Sequence, residues 1–307
     1  MHADVVVVAN PTSGRGKGAR FIPKVDALLR SLGVNHRMAI CAGPEDPERL
    51  ACQAAEGGAA IVTALGGDGQ VGQCVNGLIG TESALAVIPT GTGNDFARHL
   101  GLDPKNPLKA TELLASPVTR SIDVVRVKTA GPERHFINVG GTGFDSEVNE
   151  RANRITWPKG RSKYVYSVFA TLARFSPGRF RVTVDGREHF LPGMMIAVGN
   201  GASYGGGMKV TPEARSDDGI LDLCVIGEVS KFEFVKTFPK VFSGKHVTHP
   251  KVTMLRGREI DISAERPFEV YGDGERLGSL PATFTVVPGA LRVVVPAPIP
   301  RHFAPTE

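Results

Sequence analysis

Three glycine-rich stretches combine backbone amides, hydroxyls and an acid in a pattern suited to holding phosphates. They are Asn10-Pro11-Thr12-Ser13-Gly14, Gly66-Gly67-Asp68-Gly69 and Pro89-Thr90-Gly91-Thr92-Gly93-Asn94-Asp95. Glycine lets the main chain turn with positive φ and lets a ligand approach it closely. Asp68 stands in such a gap, where its carboxylate can orient a metal ion or a phosphate-bound water. The stretches therefore favour a nucleotide triphosphate site.

Each glycine-rich stretch follows an apolar run that predicts a β-strand. The runs are Val5–Ala9, Ala60–Leu65 and Ala84–Pro89, and helical patterns such as Ala19–Leu32 separate them. This alternation predicts a parallel sheet that binds its ligand at the carboxyl ends of the strands. A single helix N-terminus gives an exposed anion only about 0.3–1 kcal/mol. We therefore expect the three stretches to act together.

From about residue 135 the pattern changes to short alternating segments. A helical pair over Asp145–Phe175 precedes them, and an amphipathic helix near Lys231–Phe242 interrupts them. The predicted strands are Phe180–Val184, Met194–Val198, Leu221–Ile226, Glu259–Ile262, Phe268–Tyr271, Thr283–Val287 and Leu291–Val295. The sequence thus predicts an α/β domain over residues 1–127 and an antiparallel β-sandwich over 128–307, with the C-terminal tail allowed to pack back on the first domain.

Length and composition indicate a globular protein of two domains. The chain has 307 residues, of which 41% are hydrophobic and 22% are charged, and no apolar run approaches the ~20 residues that cross a bilayer. Four scattered cysteines argue against a disulfide framework or a zinc site and suit a reducing cytoplasm. A net charge of +5 is compatible with an anionic partner.

The motifs, in order and spacing, resemble the diacylglycerol kinase catalytic-domain family, specifically its soluble bacterial lipid kinases, with the sphingosine and ceramide kinases as relatives. The resemblance rests on Asn10–Gly14, Gly66–Gly69, Val75-Asn76-Gly77-Leu78, Pro89–Arg98, Gly143-Phe144-Asp145, Asp217-Asp218-Gly219, His249-Pro250-Lys251-Val252 and Asp273-Gly274-Glu275. Neither a Walker A motif nor Gly-x-Gly-x-x-Gly follows the first strand. The resemblance implies an α/β nucleotide-binding domain related to phosphofructokinase and NAD kinase, a β-sandwich domain, and an active site between them.

The resemblance also implies a role for each matching residue. Glu275 falls at the position of the general base, with Asp273 and Asp95 as further catalytic residues. Asp218 would give a carboxylate to a structural magnesium ion, and Arg215 and Ile220 would give backbone carbonyls. The residues that would contact ATP are Asn10, Pro11, Thr12, Ser13, Gly14, Cys41, Gly66, Gly67, Asp68, Gly69, Gln70, Thr92, Gly93 and Asn94.

The predicted activity is phosphorylation of the free hydroxyl of diacylglycerol to phosphatidic acid, with ATP and Mg²⁺ as cofactors. Asp145 would either line the lipid cleft or cap the following helix. The expected location is the cytoplasm, with transient contact at the membrane surface, no nucleic-acid partner, and a homodimer left open. Residues 151–187 hold nine Lys and Arg and one acid, interleaved with aromatic residues. This pattern is compatible with a surface that binds lipid headgroups and equally with an ordinary helix whose basic face is solvated.

Several residues depart from the pattern of the family and keep other functions open. Gln70, Gly72 and Gln73 stand where threonine, asparagine and glutamate are usual, and Cys41 stands where a threonine is usual. A kinase for another lipid, such as a sphingoid base, and an NAD kinase are therefore alternatives. A nucleotide-binding regulator without catalysis is a third. His246 and His249 have a spacing that suits zinc, although a turn is the favoured interpretation.

Overall fold

The computed structural model describes residues 4–155 and 161–298, which divide into two compact units. The first unit comprises Met1–Val124, Ser216–Asp218 and Val287–Glu307, and the second comprises Val125–Arg215 and Gly219–Val286. Two segments of the sequence-based second domain, 216–218 and the chain from 287, thus belong to the first unit. The tail from 299 lies outside the described residues, as does Trp157.

The first unit begins with alternating strands and helices. Its strands are β1 (Val5–Ala9), β2 (His36–Ile40), β3 (Ile61–Gly66) and β4 (Ala84–Pro89), and its helices are α1 (Ser13–Ser31), α2 (Asp46–Glu56), α3 (Asp68–Leu78), α4 (Asp95–His99) and α5 (Pro107–Glu112). A 3₁₀ turn, Leu113–Ala115, follows, and β5 (Val118–Lys128) leads into the second unit.

The second unit is dominated by antiparallel strands. They are β6 (Arg134–Phe136), β7 (Val139–Gly143), β8 (Gly178–Val184), β9 (Arg187–Gly199), β10 (Leu221–Gly227), β11 (Val252–Gly257), β12 (Glu259–Ala264), β13 (Glu269–Gly272), β14 (Glu275–Ser279) and β15 (Ala282–Val295). The part of β15 from Val287 onward belongs to the first unit. Its helices are α6 (Phe144–Arg154), α7 (Arg161–Leu172) and α8 (Lys231–Thr237), and α8 continues into the 3₁₀ turns Phe238–Ser243 and Lys245–Thr248.

The parallel sheet of the first unit has the strand order β15-β4-β3-β1-β2. Strands β1, β3 and β4 are buried along their whole length, which explains why they are continuously apolar rather than alternating. Their core includes Val7, Val25, Leu29, Leu65 and Ile88. The prediction of a parallel sheet is confirmed, and the carboxyl ends of β1, β3 and β4 lead into the three glycine-rich stretches.

Helix α1 starts earlier than its apolar spacing predicted. The pattern indicated Ala19, whereas the structure has Ser13. Between these positions, Gly14, Arg15 and Gly16 all have positive φ, so the first turn is an irregular loop that continues directly into the helix. Within this left-handed run, the Gly16 N–H donates to the Thr12 carbonyl at 3.3 Å.

In the second unit the strand order is β14-β13-β7-β9-β8-β12-β15, and β10 pairs with β9 and β11. One hydrophobic core fills this unit and includes Phe136, Phe180, Ile196, Leu223 and Phe284. The prediction of an antiparallel sandwich that follows a helical pair is confirmed. The two last predicted strands are wrong as separate elements, because β15 runs unbroken through Pro288 and Gly289. Among the described helices, none combines the length and the apolar character that spanning a bilayer requires.

Candidate active site

The first glycine-rich loop, which follows β1, is organised by Asn10. The side-chain carbonyl of Asn10 accepts hydrogen bonds from the backbone N–H of Thr12 (3.0 Å) and from its hydroxyl (2.8 Å). The Ser13 hydroxyl lies 2.6 Å from that of Thr90, which belongs to the third loop. A side chain at Gly14 would meet the Thr90 carbonyl, so the first and third loops pack too closely for any residue but glycine.

The second and third loops are joined through the carbonyl of Gly66. This oxygen accepts hydrogen bonds from the N–H groups of Thr90 (2.8 Å) and Gly91 (3.2 Å). A Cβ on Gly91 would lie against the Cα of Gly67. The three loops therefore meet at one edge of the sheet, as the strand pattern predicted.

Positive φ occurs at other residues of the loops than the sequence suggested. We expected the Gly66–Gly69 turn to need it, but Gly67 has φ −106° and Asp68 already begins α3. The glycines of this loop serve close approach instead. Among the three loops, positive φ occurs at Gly14, Arg15, Gly16 and Asn94.

Asp68 and Asp95 form an acidic pair in the middle of these loops. The Asp68 carboxylate accepts a hydrogen bond from the Phe96 N–H at 3.2 Å, and Asp95 forms an ion pair with Arg98 at 3.0 Å. Loss of water around Asp68 raises its pKa above the ordinary carboxyl range, and the nearby negative charge of Asp95 raises it further. Such a pair has the electrostatics of a site that attracts a cation.

Asn94, which directly precedes Asp95, carries an unsatisfied side-chain oxygen next to Gly91. Its side-chain N–H donates to the Gly91 carbonyl at 2.9 Å, but its buried Oδ1 has no hydrogen-bond partner among the residues that the structure describes. A buried acceptor without a donor is costly unless a ligand satisfies it. Two carboxylates and an amide oxygen make up the hard donor set that Mg²⁺ prefers.

The departure at Gln70 has a structural explanation. Its side-chain N–H donates to the Val8 carbonyl at 2.7 Å, and its Oε1 lies over Gly66, where a Cβ would collide with it. The side chain is buried and ties α3 to β1, so it does not extend into the loops as a free phosphate ligand would. A side chain at Gly72, in contrast, would meet open space. Gln73 keeps a buried Oε1 that is unpaired within residues 4–155 and 161–298.

Cys41 follows β2 at the same edge of the sheet. Its backbone N–H donates to the Ala9 carbonyl at 2.9 Å, and its side chain is buried. Burial raises the pKa of the thiol to about 11, so Cys41 is a neutral thiol at physiological pH. The remaining residues expected to contact ATP also lie on these loops: Pro11, Gly69, Gly93 and Thr92, the last of which is exposed. Their contact with ATP stays a prediction.

In the second unit, Asp273 anchors the turn between β13 and β14. Its carboxylate accepts hydrogen bonds from the backbone N–H groups of Ile137 (2.8 Å), Asn138 (3.1 Å) and Val139 (3.1 Å). Asp273 and Gly274 both have positive φ, which gives a tight hairpin turn. These contacts give Asp273 a positioning role for the turn, and a direct catalytic role remains only a prediction.

Glu275 is the first residue of β14, directly after that turn. Its side chain reaches solvent, yet the protein atoms around the carboxyl remove enough water to raise its pKa above the ordinary glutamate range. A carboxylate of raised basicity at a fixed turn is suited to accept a proton.

An apolar cavity of about 60 Å³ lies in the second unit beside the start of α6. Buried Asp145 is at its wall and accepts a hydrogen bond from the Asn149 side chain at 3.3 Å. His246 also lines it, with Nε2 3.1 Å from the Val210 carbonyl and Nδ1 unpaired within the described chain. The apolar lining comprises Phe144, Val168, Met195, Tyr204, Met208, Val210, Ile226, Val229, Phe234, Phe238, Val241 and Val252. The sequence pattern did not reveal this cavity, because its lining comes from dispersed core positions.

The residues predicted to hold a structural magnesium ion lie on the loop before β10. Asp218 belongs to the first unit, Arg215 and Ile220 belong to the second, and all three are half-buried. The part of the chain that the structure describes contains no cluster of three or more His, Cys, Asp or Glu able to hold a metal ion. A site made of one carboxylate and two carbonyls falls outside that criterion and stays a prediction.

Comparison with known proteins identifies both parts of the chain. Residues 4–127 match the diacylglycerol kinase catalytic domain, and residues 138–295 match the YegS C-terminal NAD kinase beta sandwich-like domain. The diacylglycerol kinase of Mycobacterium tuberculosis (strain ATCC 25618 / H37Rv) is 37% identical over 294 residues, which cover 95% of each chain. That of Bacillus subtilis (strain 168) is 28% identical over 295 residues, or 94% of this chain and 95% of the relative.

The fold has a counterpart among solved structures. A crystal structure of a diacylglycerol kinase from Bacillus anthracis str. Sterne superposes with a TM-score of 0.74 at 22% identity. The superposition covers 96% of this chain and 98% of the other. Both units of the fold therefore occur together in that protein.

Substitution of Asp68 by asparagine is expected to stabilise the protein while it impairs phosphoryl transfer. Because the pKa of Asp68 is raised in the folded state, its ionisation lowers stability progressively as the pH rises from the ordinary carboxyl pKa to the raised one; the penalty is complete above the raised pKa and absent in acid. In chelator without nucleotide, D68N should melt at a higher temperature than the wild type at pH 8, with a smaller gain at pH 4.5. Turnover should fall by about 10²–10³-fold, as when one electrostatic group of an active site is removed.

Asp4→Asn is the matched control for this prediction, because Asp4 is exposed and the change in net charge is the same. D4N should leave both melting temperature and turnover close to the wild type. A D68N protein that melts at a lower temperature at pH 8 would contradict the electrostatic interpretation of the pair.

Restoring the usual family residue at position 70 is expected to destabilise this protein. Gln70→Thr removes the buried hydrogen bond to the Val8 carbonyl and should lower the free energy of unfolding in urea by about 1–3 kcal/mol. Gly72→Asn is the companion variant and should shift it by less than about 1 kcal/mol, because its side chain enters open space. Equal stability of Q70T and the wild type would show that the Gln70 contact contributes nothing.

Proposed function

Because the chain belongs to the diacylglycerol kinase family, we propose that it transfers the γ-phosphate of ATP to the free hydroxyl of diacylglycerol and forms phosphatidic acid. The observation that carries this proposal is the meeting of three glycine-rich loops around Asp68, Asp95 and the unpaired oxygen of Asn94. Backbone N–H groups in the left-handed run at Gly14–Gly16 and at the start of α3 are suited to the phosphate oxygens.

Asp68, Asp95 and Asn94 are the residues that would hold Mg²⁺ at the nucleotide. The ion, when bound, neutralises negative charge on the β- and γ-phosphates. The chain contributes the fixed positions of these oxygens, since Asp68 is held by the Phe96 N–H and Asp95 by Arg98. Little reorganisation is then needed when the nucleotide binds.

Glu275 is proposed as the general base. The lipid hydroxyl gives its proton to the Glu275 carboxylate while its oxygen bonds to the γ-phosphorus. The bond between that phosphorus and the β–γ bridging oxygen breaks, and ADP leaves with the electron pair. The Asp273 anchor fixes the turn that carries the base, so Asp273 acts on the reaction by positioning Glu275.

The apolar cavity of the second unit supports a lipid as the acceptor. Its lining is almost entirely hydrophobic, and Asp145 and His246 place a few polar atoms at the wall. A cavity of about 60 Å³ is smaller than the ~150 Å³ that accommodate one benzene. An acyl chain that enters it must therefore displace part of the wall. Diacylglycerol resides in membranes, so the proposed activity requires contact with a membrane surface.

Radiolabelled ATP offered with a panel of acceptors tests the proposed function. The panel comprises diacylglycerol, a sphingoid base, ceramide and NAD, with lipids presented in mixed micelles. Label should appear in phosphatidic acid with diacylglycerol as the preferred acceptor. Preferred transfer to another acceptor would reassign the substrate. ATP binding without transfer to any of them would favour a regulator.

Glu275→Gln should reduce turnover with diacylglycerol by about 10²–10⁴-fold and leave ATP affinity nearly unchanged. As the pH is lowered, the wild type should lose activity when Glu275 becomes protonated. Because the pKa of Glu275 is raised, this loss should occur at a higher pH than it would for an ordinary glutamate. The residual activity of E275Q should lack this acidic limb. The exposed Glu265 supplies the control, since E265Q should keep both the rate and the pH profile. A pH profile shared by E275Q and wild type would remove Glu275 from the role.

A further inference from the structure

We propose that the outer face of residues 231–245 docks on a bilayer that contains anionic lipids. This docking segment consists of α8 and the turns that follow it. Tyr166 and Phe169 on α7 form a second part of the proposed docking surface. The inference rests on the proposed function, because it concerns how a lipid-phosphorylating enzyme meets its substrate.

The docking segment exposes large apolar side chains to water. Phe232 is 80% exposed, and Val235 and Phe242 are each 44% exposed. On α7, Tyr166 and Phe169 are about half exposed. The Lys231 ammonium donates to the Ala173 carbonyl at 2.6 Å and so ties the start of α8 to the end of α7. Clustered exposed hydrophobic residues of this kind mark a surface for a membrane or a protein partner.

The charge around these apolar side chains is positive. Lys231, Lys236, Lys240 and Lys245 are all exposed. Glu233 is the single acid of residues 231–251, and it is already engaged by Lys251 at 3.0 Å and by His249 at 3.3 Å. Lysine side chains complement the anionic headgroups of a bilayer, and aromatic side chains suit the boundary between these headgroups and the apolar interior.

The inner face of the same segment is the wall of the apolar cavity. Phe234, Phe238 and Val241 line it. Their rings continue outward from the core, with centroids 5.0 Å apart for Phe144–Phe234, 5.6 Å for Phe234–Phe238 and 6.1 Å for Phe238–Phe242. Because the segment has a lipid-compatible cavity on one side and exposed phenylalanines on the other, a bilayer is the favoured binding partner of its outer face.

A second copy of the chain fits this surface poorly. In a symmetric dimer the same face meets itself, so the four lysines would approach four lysines, while Glu233, the single acid of the segment, is already engaged by Lys251 and His249. The surface coincides only in part with the basic and aromatic stretch 151–187 that the sequence suggested, since Tyr166 and Phe169 of that stretch are exposed. Phe175 and Phe180 of that stretch are buried in the core, while Trp157 lies outside the described residues.

The test measures sedimentation of the full chain with vesicles of phosphatidylcholine, with and without phosphatidylglycerol. Phe232→Ala should lower affinity for the anionic vesicles by about tenfold. Lys236→Gln combined with Lys240→Gln should lower it by about tenfold or more and abolish the preference for phosphatidylglycerol. Circular dichroism and melting curves establish that each variant is folded.

Each matched control makes the same substitutions as the test variant, at positions outside the docking surface. Phe190→Ala removes another exposed phenylalanine of the same unit, one that is 65% exposed and lies under the Arg181 guanidinium. Lys105→Gln with Lys109→Gln removes two exposed charges from the first unit. Both controls should bind vesicles within twofold of the wild type.

Kinase assays distinguish failure of the surface from failure of the proposed function. F232A should raise the KM for diacylglycerol embedded in anionic vesicles and keep the rate on a short-chain diacylglycerol presented as monomers. Binding of F232A and of the double lysine variant at wild-type affinity would overturn the docking surface, even if the enzyme phosphorylates diacylglycerol. A dimer in solution that F232A dissociates would also overturn it. Vesicle binding that requires Phe232, without phosphorylation of any diacylglycerol, would support the surface and refute the function.

Discussion

The close approach of three backbone loops is the constraint on which the nucleotide site depends. The Gly66 carbonyl receives two N–H groups from the third loop, and Gly67 and Gly91 leave no room for a side chain between them. Gly14 meets the same third loop at Thr90. The buried parallel strands β1, β3 and β4 set this approach, because their carboxyl ends bring the three loops to one edge. A polyphosphate can then reach main-chain amides from several directions.

This close approach also forces charges together. Loss of water raises the pKa of Asp68, and the nearby negative charge of Asp95 raises it further. The buried oxygen of Asn94 adds a further unsatisfied acceptor. A fold selected for stability alone would avoid these groups. Their persistence around an open glycine framework is what is expected of a site that gains stability from a cation and a nucleotide.

The sequence predicted those features that follow from local patterns. Apolar runs located β1, β3 and β4, and glycine-rich stretches located the loops. It failed where tertiary contacts decide the outcome. Pro288 and Gly289 are typical of a break, yet pairing on both sides of them carries β15 through. The sequence showed Gln70 only as a departure from the usual threonine, because its hydrogen bond to the Val8 carbonyl cannot be inferred from the chain. The cavity and the exposed Phe232 depend on which face of α8 packs inward, and one short helix does not determine that.

The turn at Asp273-Gly274-Glu275 is an ordinary structural element that also carries the proposed general base. From sequence alone, a hairpin turn is a sufficient explanation, and the structure does contain that hairpin. Three backbone N–H groups hold the Asp273 carboxylate, so its charge stabilises the turn. Within residues 4–155 and 161–298 no such backbone contact to the Glu275 carboxylate is found, and loss of water raises its pKa. The surroundings of the two neighbouring acids therefore differ: the main chain engages Asp273, while burial raises the pKa of Glu275. That difference supports the proposal that Asp273 positions the turn and that Glu275 accepts the proton.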